Sequence, residues 1–313
     1  MSNQRKGEDK RSTQYSLFFI QRFKGKVLFN VPMSEYTSLR IGGPADVMAF
    51  PQDESDLKDI IVFAESKDFP LYVFGGGTNL LVRDGGIRGI VINMTEGFKD
   101  IVWQEEAKAT VGAGVRLSEL LSACRDRGLS GLEFAAGIPG TVGGAVAMNA
   151  GAYGAEMKDV VEGAEVIGKK GARVFLSRDS AGFAYRKTEF PKGSIVTRAH
   201  MRFTKKGVDE IKDKIREFKE RRRTTVSVTL PNAGSIFKNP EGDKTAGKLI
   251  DEAGLKGVRS CDAGVSEAHA NYIVNLGNAM AKDVLTLMAL IRDKVFSRTG
   301  IVLEPEIKVV GED

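Results

Sequence analysis

Phe74-Gly75-Gly76-Gly77-Thr78-Asn79-Leu80-Leu81 follows an apolar run, Leu71–Phe74, that reads as a buried strand. A second glycine stretch, Gly137-Ile138-Pro139-Gly140-Thr141-Val142-Gly143-Gly144-Ala145, continues through Met148-Asn149-Ala150-Gly151-Ala152-Tyr153-Gly154. Glycine lets successive backbone N–H groups turn toward a ligand in conformations that a Cβ forbids. A row of such groups forms a concave anion-binding nest. Two long loops of this kind, both mixing Gly with Thr and Asn donors, point to a nucleotide cofactor held by its phosphates. The candidate cradle is Gly75, Gly76, Gly77, Thr78, Asn79 and Leu80, together with Gly137, Ile138, Pro139, Gly140, Thr141, Gly143, Gly144, Ala145 and Asn149. Neither loop is the G-x-G-x-x-G fingerprint of a dinucleotide-binding strand–turn–helix. The stretch Gly242–Lys248 imitates the start of a phosphate-binding P-loop, but Leu249 stands where Ser or Thr must reach the metal and no apolar strand leads into it.

Composition supports the backbone reading. Glycine makes up 36 of the 313 residues, well above the usual ~7%. The net charge is +5, which on its own suggests a polyanion partner. Seven Lys and Arg lie within residues 1–26 against Glu8 and Asp9, so the rest of the chain carries no net charge. A neutral body that binds phosphate does so best with N–H groups. Residues 1–26 read as a polar, basic, mobile leader, and Leu17–Ile20 is too short for a signal segment. The uncharged stretch 134–155 holds six glycines, Pro139 and Asn149, which excludes a membrane span of about 20 strongly apolar residues. Two cysteines and two histidines offer no metal-ligand spacing. Cys124 falls on an apolar helix face and reads as a buried thiol. These features predict a cytoplasmic protein with no metal, no membrane contact and no nucleic-acid partner.

Periodicity predicts short elements throughout, an α+β pattern. Helices are expected at 55–67, 116–127, 208–222, 246–253 and 281–298, with apolar residues at spacings of three and four. Strands are expected at 47–50, 71–74, 87–93, 101–103, 107–111, 160–167, 172–176, 195–203, 235–237, 272–276 and 307–310.

Three polar segments lie far apart: Tyr185-Arg186, Ala233-Gly234-Ser235-Ile236-Phe237-Lys238-Asn239-Pro240, and Leu303-Glu304-Pro305-Glu306. Each alone is weak. Taken in order with TSLRIGGPAD (37–46), GGGTNLLV (75–82), the 137–154 stretch, YRKTEF (185–190) and LEPEIKVVG (303–311), they resemble the UDP-N-acetylenolpyruvoylglucosamine reductase (MurB) family. The match is to its shorter branch, which lacks an extra substrate-capping loop, and runs from about residue 30 to 311.

The resemblance implies a two-lobed FAD-binding fold of the vanillyl-alcohol-oxidase (PCMH) type plus a C-terminal α+β substrate domain. The expected divisions are a leader at 1–26, an FAD-binding region at 27–205 with lobes at about 27–93 and 94–205, and a connecting helix at 206–223. A substrate domain at 224–303 and a C-terminal strand at 304–313 that returns to the FAD region complete the chain. It implies non-covalent FAD, NADPH as reductant, and a UDP-sugar enolpyruvyl ether reduced to a lactyl ether for peptidoglycan and cell-wall synthesis. Ser235 matches the family's proton donor, Arg186 its arginine and Glu306 its glutamate; Tyr185, Lys238 and Asn239 fall at substrate-facing positions. Hydride addition to the vinyl carbon builds negative charge beside the carboxylate, which a fixed cationic fork such as Arg186 disperses. A serine is a weak acid, and Lys238 or a water is the expected aid to its ionisation. Lys308 stands where many members carry Arg, and Arg223–Ser227 lacks a Thr-Gln-Pro common before the serine. The alternatives are another FAD oxidoreductase of the same fold, or a nucleic-acid module acting through the basic leader.

Overall fold

A computed structural model describes residues 18–19, 22–105, 107–226 and 228–313. Its first sheet has the order Lys26–Pro32, Pro44–Phe50, Ile87–Asn93, Leu71–Phe74. The first pair is antiparallel and the other two pairings are parallel. The crossover between Pro44–Phe50 and Leu71–Phe74 is the helix Glu54–Ser66, capped by the Asp53 side chain, which accepts from the Asp56 N–H at 2.9 Å. Leu57, Ile60, Ile61 and Ala64 face the sheet and are buried.

A second, wholly antiparallel sheet runs Arg173–Ser177, Val161–Ile167, Ile195–Arg202, Lys108–Gly112, Ile101–Gln104. The helices Leu117–Asp126 and Val208–Thr225 pack beside it around a core of Leu117, Leu120, Leu121, Ile211 and Ile215. Cys124 belongs to this core, and burial pushes its thiol up to about 12, so it is an unreactive packing residue. A third core gathers the helices Ala246–Glu252 and Ala281–Thr299 with the three-stranded sheet Arg259–Ser260, Ala263–Val265, Ile273–Asn275. Leu39, Ile41 and Leu81 also enter this third core. The strand Lys308–Val310 pairs in parallel with Leu80–Val82, just after the first glycine loop.

Several sequence expectations change. The strand Lys26–Pro32 and the short strand Leu80–Val82 were not anticipated, because neither has a long apolar run or clean alternation. The second glycine stretch contains a helix, Val142–Ala147, capped by Thr141, whose hydroxyl accepts from the Gly144 N–H at 3.4 Å. Residues 235–237 do not form a strand. Gly234 sits at φ +76°, and the segment keeps only isolated bridges, Asn232 to Val274 and Phe237 to Pro305.

Part of the stretch 1–26 expected as a leader packs against the fold. Residues 1–17, 20 and 21 lie outside the described residues, but Phe19 is buried and Phe18 stacks on Phe63 at 4.0 Å. The Lys24 N–H donates to Asp56 at 3.2 Å. Phe18, Phe19 and Phe23 therefore pack into the core that holds the first helix; aromatic side chains here outweigh charge. Among the described residues no helix is long and apolar enough to cross a membrane, and no group of three or more His, Cys, Asp or Glu is placed to hold a metal.

Asp84 joins the first lobe to the third core. Its carboxylate accepts from the N–H groups of Ala281 (2.7 Å) and Lys282 (3.0 Å), the first residues of the long helix. Asp84→Ala is expected to lower stability by about 1–2 kcal/mol by orphaning these donors. A thermal melt checks this, and an unchanged melting temperature would contradict it.

Candidate active site

Between the lobes and the third core lies a cleft of about 810 Å³. The first glycine loop forms one wall. Gly75, Gly76, Gly77, Thr78, Asn79 and Leu80 all line it, and Ile138, Pro139, Gly140, Thr141, Gly144 and Ala145 line the facing side. The two loops touch. A Cβ on Gly75 would collide with the Thr141 hydroxyl, and one on Gly76 would press on the Gly140 Cα. The Thr78 hydroxyl donates to the Pro139 carbonyl at 3.4 Å. Among the described residues, no acceptor takes the N–H groups of Gly75, Gly76, Gly77 and Thr78. A strip of free N–H groups with no room for side chains is the donor set a diphosphate requires.

The remaining cradle candidates sit elsewhere. Gly137 forms a turn at φ +80° against the Arg222 side chain. Gly143 lets the short helix approach Ala113, to whose carbonyl its N–H donates at 2.9 Å. Asn149 is fully buried and does not line the cleft. Its amide donates to Glu156 Oε2 and to the Ala184 carbonyl, both at 3.0 Å, and its Oδ1 accepts from the Lys158 N–H at 3.0 Å. It thereby holds the turn that carries Arg186.

That turn closes with hydrogen bonds between Ala184 and Lys187 in both directions. Arg186 takes its left-handed position at φ +54°, which glycine or asparagine normally fills. Its Nε donates to Glu306 Oε1 at 2.9 Å and an Nη donates to the Gly151 carbonyl at 2.7 Å, while another Nη lies 4.0 Å from Glu156. Tyr185, 44% exposed, stays outside the cleft and places its ring 4.9 Å from the guanidinium. Burial pushes the Glu306 carboxyl above its ordinary value, and Arg186 only partly offsets this.

Ser235 reaches the cleft from the opposite side. The Ile236 N–H donates to the Asn271 carbonyl at 2.9 Å, and the Ile236 carbonyl accepts from the Glu306 N–H at 2.7 Å. Asn79 secures the same corner, its amide donating to the Glu306 carbonyl at 3.2 Å. Ser38 links the glycine loop to the serine segment: its N–H donates to the Gly77 carbonyl and its hydroxyl to the Asn232 carbonyl at 2.7 Å. The structure thus brings Arg186, Ser235 and Glu306 onto one cleft with the glycine loops.

Lys238 and Asn239 do not line that cleft. The Lys238 ammonium pairs with Glu304 at 3.3 Å, and its charge still acts on Glu306. The Asn239 side chain accepts from the Ala246 N–H at 3.0 Å and supports a helix start. The sequence reading missed Tyr272, Arg222 and the 229–232 segment as cleft residues. Tyr272 read as an ordinary strand aromatic, and no local pattern singled out Arg222.

Comparison with known proteins agrees with this geometry. Residues 45–177 match an FAD binding domain, and residues 226–310 match the C-terminal domain of UDP-N-acetylenolpyruvoylglucosamine reductase. The reductase of that name from Alkaliphilus oremlandii is 44% identical over 92% of this chain and 94% of its own. The chain belongs to the UDP-N-acetylenolpyruvoylglucosamine reductase family. A relative from Syntrophotalea carbinolica is 46% identical over 90% of this chain and 93% of its own. The crystal structure of the Thermus caldophilus reductase superposes with a TM-score of 0.77 at 38% identity, covering 91% of this chain and 98% of that one. The expected α+β FAD-binding fold with a reductase C-terminal domain is therefore borne out.

The cleft can be tested at its cradle and at its acidic corner. Gly75→Ala drives a methyl into Thr141 and parts the loops, so the purified variant should carry much less flavin than the wild type; equal visible flavin absorbance would contradict the cradle. The raised pKa of Glu306 means that the folded state holds the proton more tightly than the unfolded chain. Its contribution is complete below the ordinary pKa of about 4.5 and is lost as pH rises through the folded value. Glu306→Gln should remove that loss, flattening the fall in melting temperature on the alkaline side of 4.5; an unchanged pH profile would contradict it.

Proposed function

We propose that the protein reduces UDP-N-acetylglucosamine enolpyruvate to UDP-N-acetylmuramate in the cytoplasm, with FAD as bound cofactor and NADPH as reductant. The observation that carries this reading is the meeting of Arg186, Ser235 and Glu306, from three separated segments, on one cleft with the glycine loops. Bound there, FAD would supply the hydride chemistry between NADPH and the enolpyruvyl substrate. The N–H strip of Gly75–Thr78, with Gly140 and Thr141 opposite, would hold its diphosphate.

The protein's own residues handle the charge and the proton. Arg186 is fixed by Glu306, Gly151 and Glu156, so its cationic fork is in place before charge develops on the substrate carboxylate. Glu306 keeps the guanidinium plane fixed and, with its pKa raised, is poised to share a proton at the site. The Ser235 O–H bond breaks as a C–H bond forms on the carbanionic carbon, leaving a serine alkoxide that solvent reprotonates. Catalysis by such a positioned acid contributes about 10²–10⁴-fold.

Ser235→Ala should leave flavin bleaching by NADPH at the wild-type rate and slow reoxidation by the enolpyruvyl substrate by about 10²-fold or more. Stopped-flow absorbance separates the two half-reactions. Reoxidation at the wild-type rate would remove Ser235 as donor, and a purified protein that binds no flavin would overturn the whole reading.

A further inference from the structure

The Ser235 segment is not a strand, so its place depends on what holds the chain beside it. Buried Asn271 supplies three of those bonds. Its carbonyl accepts from the Ile236 N–H at 2.9 Å. Its side chain accepts from the Phe237 N–H at 3.0 Å and donates to the Phe237 carbonyl at 2.8 Å. The Asn271 N–H itself donates to Nδ1 of His269 at 3.2 Å. Three further bonds close the same turn. The His269 N–H donates to the Ser266 hydroxyl at 3.4 Å, the His269 carbonyl accepts from the Tyr272 N–H at 3.0 Å, and the Ser266 N–H donates to the Tyr272 carbonyl at 2.8 Å. The imidazole lies edge-on to Tyr272 at 4.7 Å and against Gly247, where a Cβ would come within 3.2 Å of His269 Cε1. A ring nitrogen that accepts from an N–H carries no proton, so this imidazole is neutral with its proton on Nε2.

We infer that His269 is a positioning residue for proton delivery: its neutral ring holds the Asn271 N–H through Nδ1, and Asn271 in turn holds the segment that presents Ser235 to the cleft. A proton on Nδ1 would set two N–H groups against each other and orphan a buried donor. Burial holds the ring below its ordinary value of 6.5; its own carbonyl favours the charged form, while Lys256 and Arg222 disfavour it. Tyr272 is the other titratable group against the ring, and the helix Ala246–Glu252 meets it with Gly247. The bond is therefore complete at neutral pH and is lost as the pH falls through the folded value. The inference rests on the reading of Ser235 as the proton donor.

The chain has two histidines, so the ring state is directly readable by NMR. In the FAD holoenzyme with isotope-labelled histidine, and with His200→Gln to assign the signals, His269 should show the Nε2–H form at neutral pH. Reoxidation by the enolpyruvyl substrate should slow with falling pH along the His269 titration curve. His269→Ala removes the acceptor. It should leave bleaching by NADPH unchanged and slow reoxidation by ~10- to 100-fold at every pH, the cost of a misplaced reacting group. An asparagine side chain accepts from the N–H two residues on and does not titrate. His269→Asn should therefore restore most of the rate and show no acid fall. An Nδ1–H form at neutral pH, wild-type reoxidation in His269→Ala, or a wild-type acid fall in His269→Asn would each overturn the inference. Slow Ser235→Ala with normal His269→Ala removes this inference alone, whereas normal Ser235→Ala removes the donor reading beneath it.

Discussion

The hydrogen bond from the Glu306 N–H to the Ile236 carbonyl, 2.7 Å long, joins two segments that no local element connects. Ile236 is fully buried, so neither group has water as an alternative partner, and breaking the bond would orphan a buried donor and acceptor. On the other side of Ile236, its N–H is held by Asn271. Ser235 thereby lines the same cleft as Glu306, and Asn79 ties the Glu306 carbonyl to the glycine loop. Cofactor cradle, acidic corner and serine segment share one backbone frame.

The Arg186–Glu306 pair is not there mainly for stability. Its side chains are 16% and 13% exposed, and taking two charges out of water offsets most of what their attraction gains. The rise in the Glu306 pKa is a measure of that desolvation. What the pair supplies is a fixed orientation. A guanidinium with two anchored nitrogens presents its remaining donors in one plane, so little reorganisation is left when charge appears on a substrate.

The legible parts of the fold were those with strong local signals. Ile211 and Ile215 are buried where the helical spacing puts them, and Leu117, Leu120, Leu121 and Cys124 form the expected inner face. The glycine loops were legible because free N–H groups need glycine. The 235–237 segment was not, because its regularity comes from partners 34 and more residues away rather than from its own alternation. Lys238 looked substrate-facing by proximity in sequence, yet it does not line the cleft and its ammonium pairs with Glu304. Tyr272 carried no signal for the site: a strand aromatic reads as core until the fold shows it lining the cleft.

Three of the ten non-glycine residues at positive φ among the described residues belong to the segments around Arg186. Asn149, Tyr153 and Arg186 all adopt positive φ without being glycine, a conformation that costs roughly 1–2 kcal/mol per residue. Asparagine tolerates it through its short polar side chain, and Asn149 is further held by three side-chain hydrogen bonds. Tyr153 is held by stacking on Phe218 at 4.6 Å. Arg186 has neither excuse, since a glycine or asparagine would relieve its turn. Its retention in a strained position is explained by the guanidinium alone, which only this turn carries to Glu306 and the cleft. Strain here follows from the demand on one side chain, and the buried Asn149 network is the local structure that keeps the turn from relaxing.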